Sequence, residues 1–360
     1  VQLDVKKTTN SNFQEIFRFD PNREVDGILD PGFSSLGPLR GGSYKISMLT
    51  INTAFKNNTS VTSSVFQKFE ENIPVIKDRF NSGSGVGYEK QSQDVLIPAF
   101  LAAYSGKDVN TISLSPFPQI PVPNWRMDYN GLTKLGPFKE LFQSVTLSHA
   151  YSSSYQVTNF TNSLEYPNVG LNIPLEDYNK TQFANQTNKE GDLIPVYVIS
   201  QVMISEQFAP LVGINIRTKN KMTARFEYKT KRDLSLNISN AQVTELNAKD
   251  WSFEIGYTKA NLKLPFRDQG RVITIKNDVT FRLNMSVTNS QTIQRKIAED
   301  NQITNGNINF QLRPNISYVV NQKLNIQLYL DRNTNQPFVS TSFPRSTTRF
   351  GTKIQFNLAQ

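Results

Sequence analysis

The sequence has no cysteine and only one histidine, His149. The absence of cysteine excludes disulfide bonds and thiolate metal sites. Any zinc site or Ser-His-Asp triad would depend on that single imidazole. The longest apolar run, from Val95 to Tyr104, has ten residues and contains Pro98. A membrane-spanning helix needs roughly 18 to 20 apolar residues, so a helical membrane protein is excluded.

Asparagine is abundant, with 37 residues, and many Thr, Ser, Tyr and Phe accompany it. This composition favours strands and turns over helices. The net charge is +9, yet no run of Lys and Arg exceeds three residues. We expect scattered basic side chains and no nucleic-acid partner, because neither a basic cluster nor a phosphate-binding loop is present.

Apolar and polar residues alternate over long stretches of the second half of the chain, most regularly in 272–288. Alternation with period two is typical of a strand with one apolar face. Soluble strands average about five or six residues, whereas a strand that crosses a bilayer needs about 9–11. We predict eleven strands at 1–9, 43–55, 122–130, 143–158, 196–219, 223–238, 250–264, 272–288, 306–319, 323–333 and 347–358.

The predicted connections between these strands alternate in length. Long links are predicted at 159–195, 239–249, 289–305 and 334–346, and short ones at 220–222, 265–271 and 320–322. Short periplasmic turns and long outer loops are typical of outer-membrane barrels. Eleven is an odd number, and Val1–Val5 reads as a strand rather than a signal peptide. We therefore predict the C-terminal arc of a larger barrel, with an 8- or 10-stranded barrel plus an N-terminal extension as the alternative.

The predicted fold is an all-β, antiparallel, transmembrane outer-membrane β-barrel with a small helical extracellular insert. Residues 1–56 hold barrel strands and a periplasmic connection, and 43–55 is expected to ascend. Residues 57–121 form the insert, with helices near Val61–Phe80 and Gln93–Tyr104. Residues 122–360 hold the remaining strands, in which 122–130 descends and 347–358 is the C-terminal strand.

Alternation also assigns residues to the two faces of the barrel wall. In a membrane barrel the apolar face meets lipid and the polar face lines the lumen. The predicted lipid-facing residues are Phe226, Phe253, Ile255, Phe281, Leu283, Leu312, Ile326, Leu328, Ile354 and Phe356. The predicted lumen-facing residues are Arg225, Glu227, Lys229, Lys276, Asp278, Arg282, Asn309, Gln311, Arg313, Lys353 and Gln355. Arg232 falls on the apolar face, so we expect it near or beyond the membrane interface.

No combination of residues predicts catalysis. His149 lies on the apolar face of strand 143–158, without a Ser or Asp motif beside it. Glu70 and Glu71 are adjacent on a predicted helix, where neighbouring side chains diverge. We expect a protein that is not an enzyme and that has no catalytic residue, no cofactor and no metal site.

Two blocks of sequence resemble the SprA family, called Sov in non-gliding relatives, the outer-membrane translocons of the type IX secretion system. One block runs from Pro123 to Leu135 (PNWRMDYNGLTKL) and continues at Phe142–Tyr151 (FQSVTLSHAY). The other runs from Ser92 to Tyr104 (SQDVLIPAFLAAY), and the helix at 66–79 is also similar. The resemblance covers most of the chain, which would correspond to the C-terminal portion of the much longer family protein.

The resemblance implies a single-chain barrel of about 36 strands in the bacterial outer membrane, which exports folded cargo and is needed for gliding motility. It also implies partners: the rest of the barrel, a shuttle β-barrel protein, a plug protein and cargo with a C-terminal signal domain. We further expect outer-membrane lipid or lipopolysaccharide as a partner, with a periplasmic chaperone or isomerase as a further candidate. The alternative function is an outer-membrane receptor or adhesin whose insert binds a ligand.

Overall fold

A computed structural model describes the chain except for residues 17, 18, 23, 26, 34–38, 57–61, 85–87, 164–194, 269, 270, 276, 322, 323, 340 and 357–360. Most of the described residues lie in antiparallel strands, which confirms the all-β class. None of the described helices combines the length and the apolar composition needed to cross a bilayer.

Eighteen strands and four α-helices make up this part of the chain. The strands are β1 Gln2–Lys6, β2 Thr9–Ile16, β3 Phe19–Asp20, β4 Glu24–Val25, β5 Ile28–Leu29, β6 Gly32–Phe33, β7 Leu39–Ser47, β8 Asn124–Tyr129, β9 Phe142–Asn162, β10 Tyr197–Thr218, β11 Met222–Asn237, β12 Gln242–Lys259, β13 Leu262–Asp268, β14 Arg271–Ile275, β15 Val279–Lys296, β16 Gln302–Asn321, β17 Leu324–Pro337 and β18 Arg345–Phe356. The helices are α1 Ile51–Ala54, α2 Ser64–Ser84, α3 Gln93–Ser105 and α4 Gly136–Leu141, with a 3₁₀ turn at Gly131–Lys134.

The main sheet is an antiparallel meander from β9 to β18, interrupted only by the separate hairpin β13–β14. At its start, β7 and β8 occupy one strand position between them. β7 pairs with the C-terminal half of β9, which we call its upper half, where Ser47 lies opposite Ser154. β8 pairs with the N-terminal, lower half of β9, where Trp125 lies opposite Tyr151. Both run antiparallel to β9, so the insert interrupts a single strand position.

This arrangement corrects the predicted course of the first strands. The prediction that 43–55 ascends while 122–130 descends is wrong, because β7 and β8 run in the same direction. β1 and β2 likewise share one position, pairing with β8 and β7 respectively. The described sheet therefore has ten strand positions instead of eleven. The odd number of strands, from which we predicted an arc of a larger barrel, is not found. Among the described residues, the outer positions β1/β2 and β18 are each paired on one side only.

The predicted long links are mostly strand. β12 begins at Gln242, β15 continues to Lys296, and β16 begins at Gln302. The connections at the upper end of the sheet are shorter than predicted and lie at 238–241, 297–301 and 338–344. The predicted alternation of long and short links is therefore wrong at these three connections. Most of predicted link 159–195 lies outside the described residues. The short link predicted at 265–271 belongs instead to the hairpin β13–β14, so 272–288 is not one continuous strand.

The insert folds as two main helices, close to the predicted ranges, and packs against the sheet. The apolar residues at helical spacing in α2 are all buried: Val65, Phe66, Phe69, Ile73 and Ile76. α3 is buried along almost its whole length and ends at Gly106, whose φ of 69° favours glycine. These helices share a core with the upper parts of β9, β10, β11 and β12. The insert is therefore held by apolar burial against the sheet.

Candidate functional site

The register of the sheet sorts the predicted wall residues into two faces. Residues directly opposite on neighbouring strands share a face, as Phe226 and Phe253 do. All ten residues predicted to face lipid lie on one face, which we call the apolar face. Nine of the residues predicted to line the lumen lie on the other, the polar face: Arg225, Glu227, Lys229, Arg282, Asn309, Gln311, Arg313, Lys353 and Gln355.

The other two predicted lumen residues do not join them. Asp278 lies just before β15, in the connection that follows the hairpin, so its predicted place on a strand face is wrong. Lys276 lies outside the described residues. The prediction failed at Asp278 because alternation continues by chance from β14 into β15, although the two segments pair with different partners.

An apolar belt runs across the lower half of the apolar face, on the side away from the insert. In β15 it extends from Val279 to Val287, nine residues or about 27 Å along the strand. Large apolar side chains in the belt are exposed, including Trp251 at 45% and Phe350 at 83%. A contiguous exposed apolar surface of this kind marks contact with another apolar phase or partner.

Aromatic side chains mark the upper rim of this belt. The rings of Tyr228 and Trp251 stack with centroids 4.0 Å apart and planes at 21°. The next residues of the same face are Thr230 and Lys249, which lie opposite each other. On β11 and β12 the face therefore changes from apolar to polar within one pair of residues, and amphipathic rings lie at the change, as they do at membrane interfaces.

The polar face carries charges that are paired with one another. Glu227 contacts both Arg225, at 2.6 Å, and Lys229, at 2.9 Å. Further pairs on this face are Arg126–Asp128 at 2.9 Å, Lys231–Asp233 at 2.7 Å and Arg313–Asp331 at 3.2 Å. A depression of about 680 Å³ lies between the Arg126–Asp128 pair and Glu227. The surface is strongly hydrophilic, and several of its charges are paired with a charge of opposite sign.

Two buried ion pairs lie on the apolar face beneath the insert. Arg232 is 7% exposed and contacts Glu206 at 2.8 Å, while its guanidinium also donates to the backbone oxygen and hydroxyl of Thr53. Glu206 also accepts bonds from Thr50 and Tyr151. Arg232 was expected near or beyond the interface. Its strand extends past the belt, and helix α1 covers Arg232 there; its position relative to a membrane stays a prediction.

The second pair is Glu245 and Arg295, which are fully buried and 2.8 Å apart. Burial, and then the nearby carboxylate of Glu245, raises the pKa of Tyr104 in α3 well above its usual value. Neither Glu206 nor this second pair is among the residues predicted from the sequence. The available signal was a charge on the buried face of each strand, with opposite sign on the neighbouring strand.

The side chains considered for catalysis are separated from one another. His149 Nδ1 lies 2.7 Å from the carbonyl oxygen of Leu211, and the ring faces Trp125 and Phe208. Glu71 pairs with Lys68, and Glu70 accepts a bond from the backbone of Ala298. Within the described part of the chain, no group of three or more His, Asp or Glu residues could hold a metal ion.

A scan against models of known protein families finds no match for this chain. A search of curated proteins also finds no match.

Proposed function

We propose that the chain forms part of the wall of a protein-conducting β-barrel in the bacterial outer membrane. The observation that carries this proposal is the division of one sheet into an exposed apolar belt and a hydrophilic opposite face. Burying the belt in hydrocarbon removes its apolar area from water. The backbone of a sheet can cross a bilayer because its strands satisfy each other's hydrogen bonds.

The polar face suits the lining of a wide aqueous lumen. Its ion pairs offset part of its charge, and its Asn, Gln, Ser and Thr side chains keep it wetted. Examples are Asn309 and Gln311 on β16, which lie opposite Thr288 and Ser286. Passage through such a lumen needs no covalent chemistry by the wall. Direction and energy would come from partner proteins.

The open edges of the sheet favour a wall completed by further strands. β18 is exposed along its length, and β1 is exposed on every residue. A membrane barrel must close, since unpaired backbone groups are costly in lipid. The rest of a SprA-like barrel would supply those strands.

Because the chain resembles the SprA family, we assign the complete barrel to type IX secretion and to gliding motility. Its cargo would be folded proteins that carry a C-terminal signal domain. A shuttle barrel and a plug protein would be its partners. The insert uses its apolar side against the sheet, which favours a structural part of this wall over a free lobe that binds a ligand.

The membrane wall can be tested with single introduced cysteines, because the chain has none of its own. Ser252 and Phe253 are neighbours on opposite faces of β12, so Ser252→Cys and Phe253→Cys form a matched pair. In intact cells of the source bacterium, a membrane-impermeant maleimide should label the first, and the second should react only with a lipid-soluble maleimide. Equal labelling of both by the impermeant reagent would contradict the membrane wall.

Transport is tested in the same cells by attaching a large poly(ethylene glycol) maleimide. Labelled Ser252→Cys should export cargo more slowly, because the polymer occupies the lumen. Asp300→Cys, in the exposed 297–301 connection, is the labelled control and should export cargo normally. Full labelling at 252 with unchanged export would overturn the protein-conducting role while leaving the wall intact.

A further inference from the structure

A cavity of about 350 Å³ lies where the apolar belt meets the insert. Its apolar side includes Phe208 and Tyr228 of the sheet and Phe55, which follows α1. Phe55 is 64% exposed, and its ring centroid lies 5.3 Å from that of Phe208. An exposed aromatic ring at the rim of the belt extends the apolar surface up to the mouth of this cavity.

The charged residues around the cavity are mainly basic. Lys56, Lys231, Arg232 and Lys249 line it, against a single carboxylate, Glu206. That carboxylate is paired with Arg232 and accepts hydrogen bonds from the hydroxyl groups of Thr50 and Tyr151. Lys231 pairs with Asp233 on the polar face. Lys56 and Lys249 are exposed, and within the described residues neither belongs to an ion pair.

A buried donor lines the same cavity. The guanidinium of Arg232 is already engaged with Glu206 and with Thr53. The positive charge that remains available to a ligand is therefore that of Lys56 and Lys249. The cavity thus combines two exposed ammonium groups, the buried guanidinium of Arg232 in its lining and an apolar mouth.

We propose that this cavity binds a phosphate group of an outer-leaflet glycolipid of the lipid A class. This inference rests on the proposed function, which places the belt in the outer membrane, and on the expectation that the insert is extracellular. The phosphate would lie between Lys56 and Lys249, and the acyl chains would descend past Phe55 along the belt beside Trp251. Basic residues just beyond a hydrophobic band bind anionic headgroups. A soluble phosphate would make no use of the exposed Phe55.

The test is lipid binding to the purified full-length protein in detergent, followed by native mass spectrometry with bis-phosphorylated lipid A, its dephosphorylated form and phosphatidylglycerol. We expect a preference for bis-phosphorylated lipid A. The double variant Lys56→Gln/Lys249→Gln should weaken its binding about tenfold, because two charge-assisted contacts are lost. Lys259→Gln is the matched control, since Lys259 lies on the same strand and face, at the opposite end of the belt.

Three results would overturn the proposal: unchanged binding by the double variant, an equal loss in Lys259→Gln, or equal affinity for phosphatidylglycerol. Flotation of the same preparation with lipid vesicles separates this inference from the function on which it rests. Protein that fails to float contradicts the membrane wall itself. Protein that floats but shows no preference for bis-phosphorylated lipid A contradicts only the glycolipid site.

Discussion

Arg232 and Glu206 lie directly opposite each other on β11 and β10, with Nη2 and Oε2 2.8 Å apart. The pair lies on the face that carries the apolar belt, and Arg232 is four residues beyond Tyr228 of the stacked rim along β11. It also connects to the insert through α1, because Arg232 donates to Thr53, whose hydroxyl donates to the carbonyl oxygen of Tyr104 in α3. A buried charged pair thus adds to the apolar core that holds the insert against the sheet.

Breaking this pair should destabilise the protein strongly. Arg232→Met leaves Glu206 buried without its cation, which typically costs about 3–5 kcal/mol. The double variant Glu206→Gln/Arg232→Met should recover much of that loss, because no buried charge remains. Guanidinium unfolding in detergent micelles and protease cleavage within the insert measure the effect.

Arg313→Met is the control for that experiment, since its pair with Asp331 is largely exposed. Its free energy of unfolding should change by no more than about 1 kcal/mol. Wild-type stability of Arg232→Met would show that the buried pair does not hold the insert.

Alkaline pH should weaken the same region through Tyr104. Its folded pKa is raised, above all by burial, while an unfolded tyrosine titrates near pH 10. The unfolded state therefore loses the proton first, and stability falls as pH rises above about 10, at up to about 1.4 kcal/mol per pH unit for this group. Tyr104→Phe should make the decline shallower.

Unfolding midpoints between about pH 9 and pH 11.5 test this, together with tyrosinate absorbance. Tyr329→Phe, at an exposed ring, is the matched control and should follow the wild type. Equal slopes for wild type and Tyr104→Phe would show that Tyr104 ionises as easily in the folded state as in the unfolded one.

Alternation predicted the middle of each long strand well and the ends poorly. In β12 and β15, the paired residues Val243–Arg295 and Glu245–Ile293 lie on the covered face. Because charged residues occupy that face, the alternation of apolar and polar residues stops before the strands do. The sequence pattern therefore predicts loops at 239–249 and 289–305. Only the neighbouring strand shows that Glu245 and Arg295 complement each other, and pairing between strands is not visible along one sequence.

The shared strand position of β7 and β8 could not be predicted from hydropathy either. Both segments alternate, and an ascending and a descending strand have the same pattern. Their common direction depends on pairing with β9, which lies about 20 residues from β8 and more than 100 residues from β7 along the chain. The helices of the insert were predictable, because the apolar spacing of α2 and the unbroken apolar run of α3 are local features.

Loss of the only imidazole should leave transport nearly intact. His149→Ala removes one hydrogen bond, to the Leu211 carbonyl, and some ring contacts, so a stability loss of about 1 kcal/mol is expected. Export of cargo and the amount of protein in the outer membrane should both stay close to wild type. Complete loss of export with normal amounts of barrel would instead indicate a chemical role for His149.

The depth of Trp251 gives a direct measurement of where the apolar belt ends. Its ring stacks on Tyr228 at the rim, one pair below Thr230 and Lys249. Since the chain has two tryptophans, Trp125→Phe isolates its fluorescence. In vesicles, lipid carrying a quencher near the headgroup should quench Trp251 more strongly than lipid carrying it near the chain end, because interfacial rings lie at headgroup level.

Phe253→Trp, in the Trp125→Phe/Trp251→Phe background, is the matched probe one step deeper in the belt. The neighbouring positions 251 and 253 share a face, so only their depth differs. Its fluorescence should respond relatively more to the deep quencher. If both probes respond only to a water-soluble quencher, the belt does not face lipid, and its exposed apolar residues must contact protein instead.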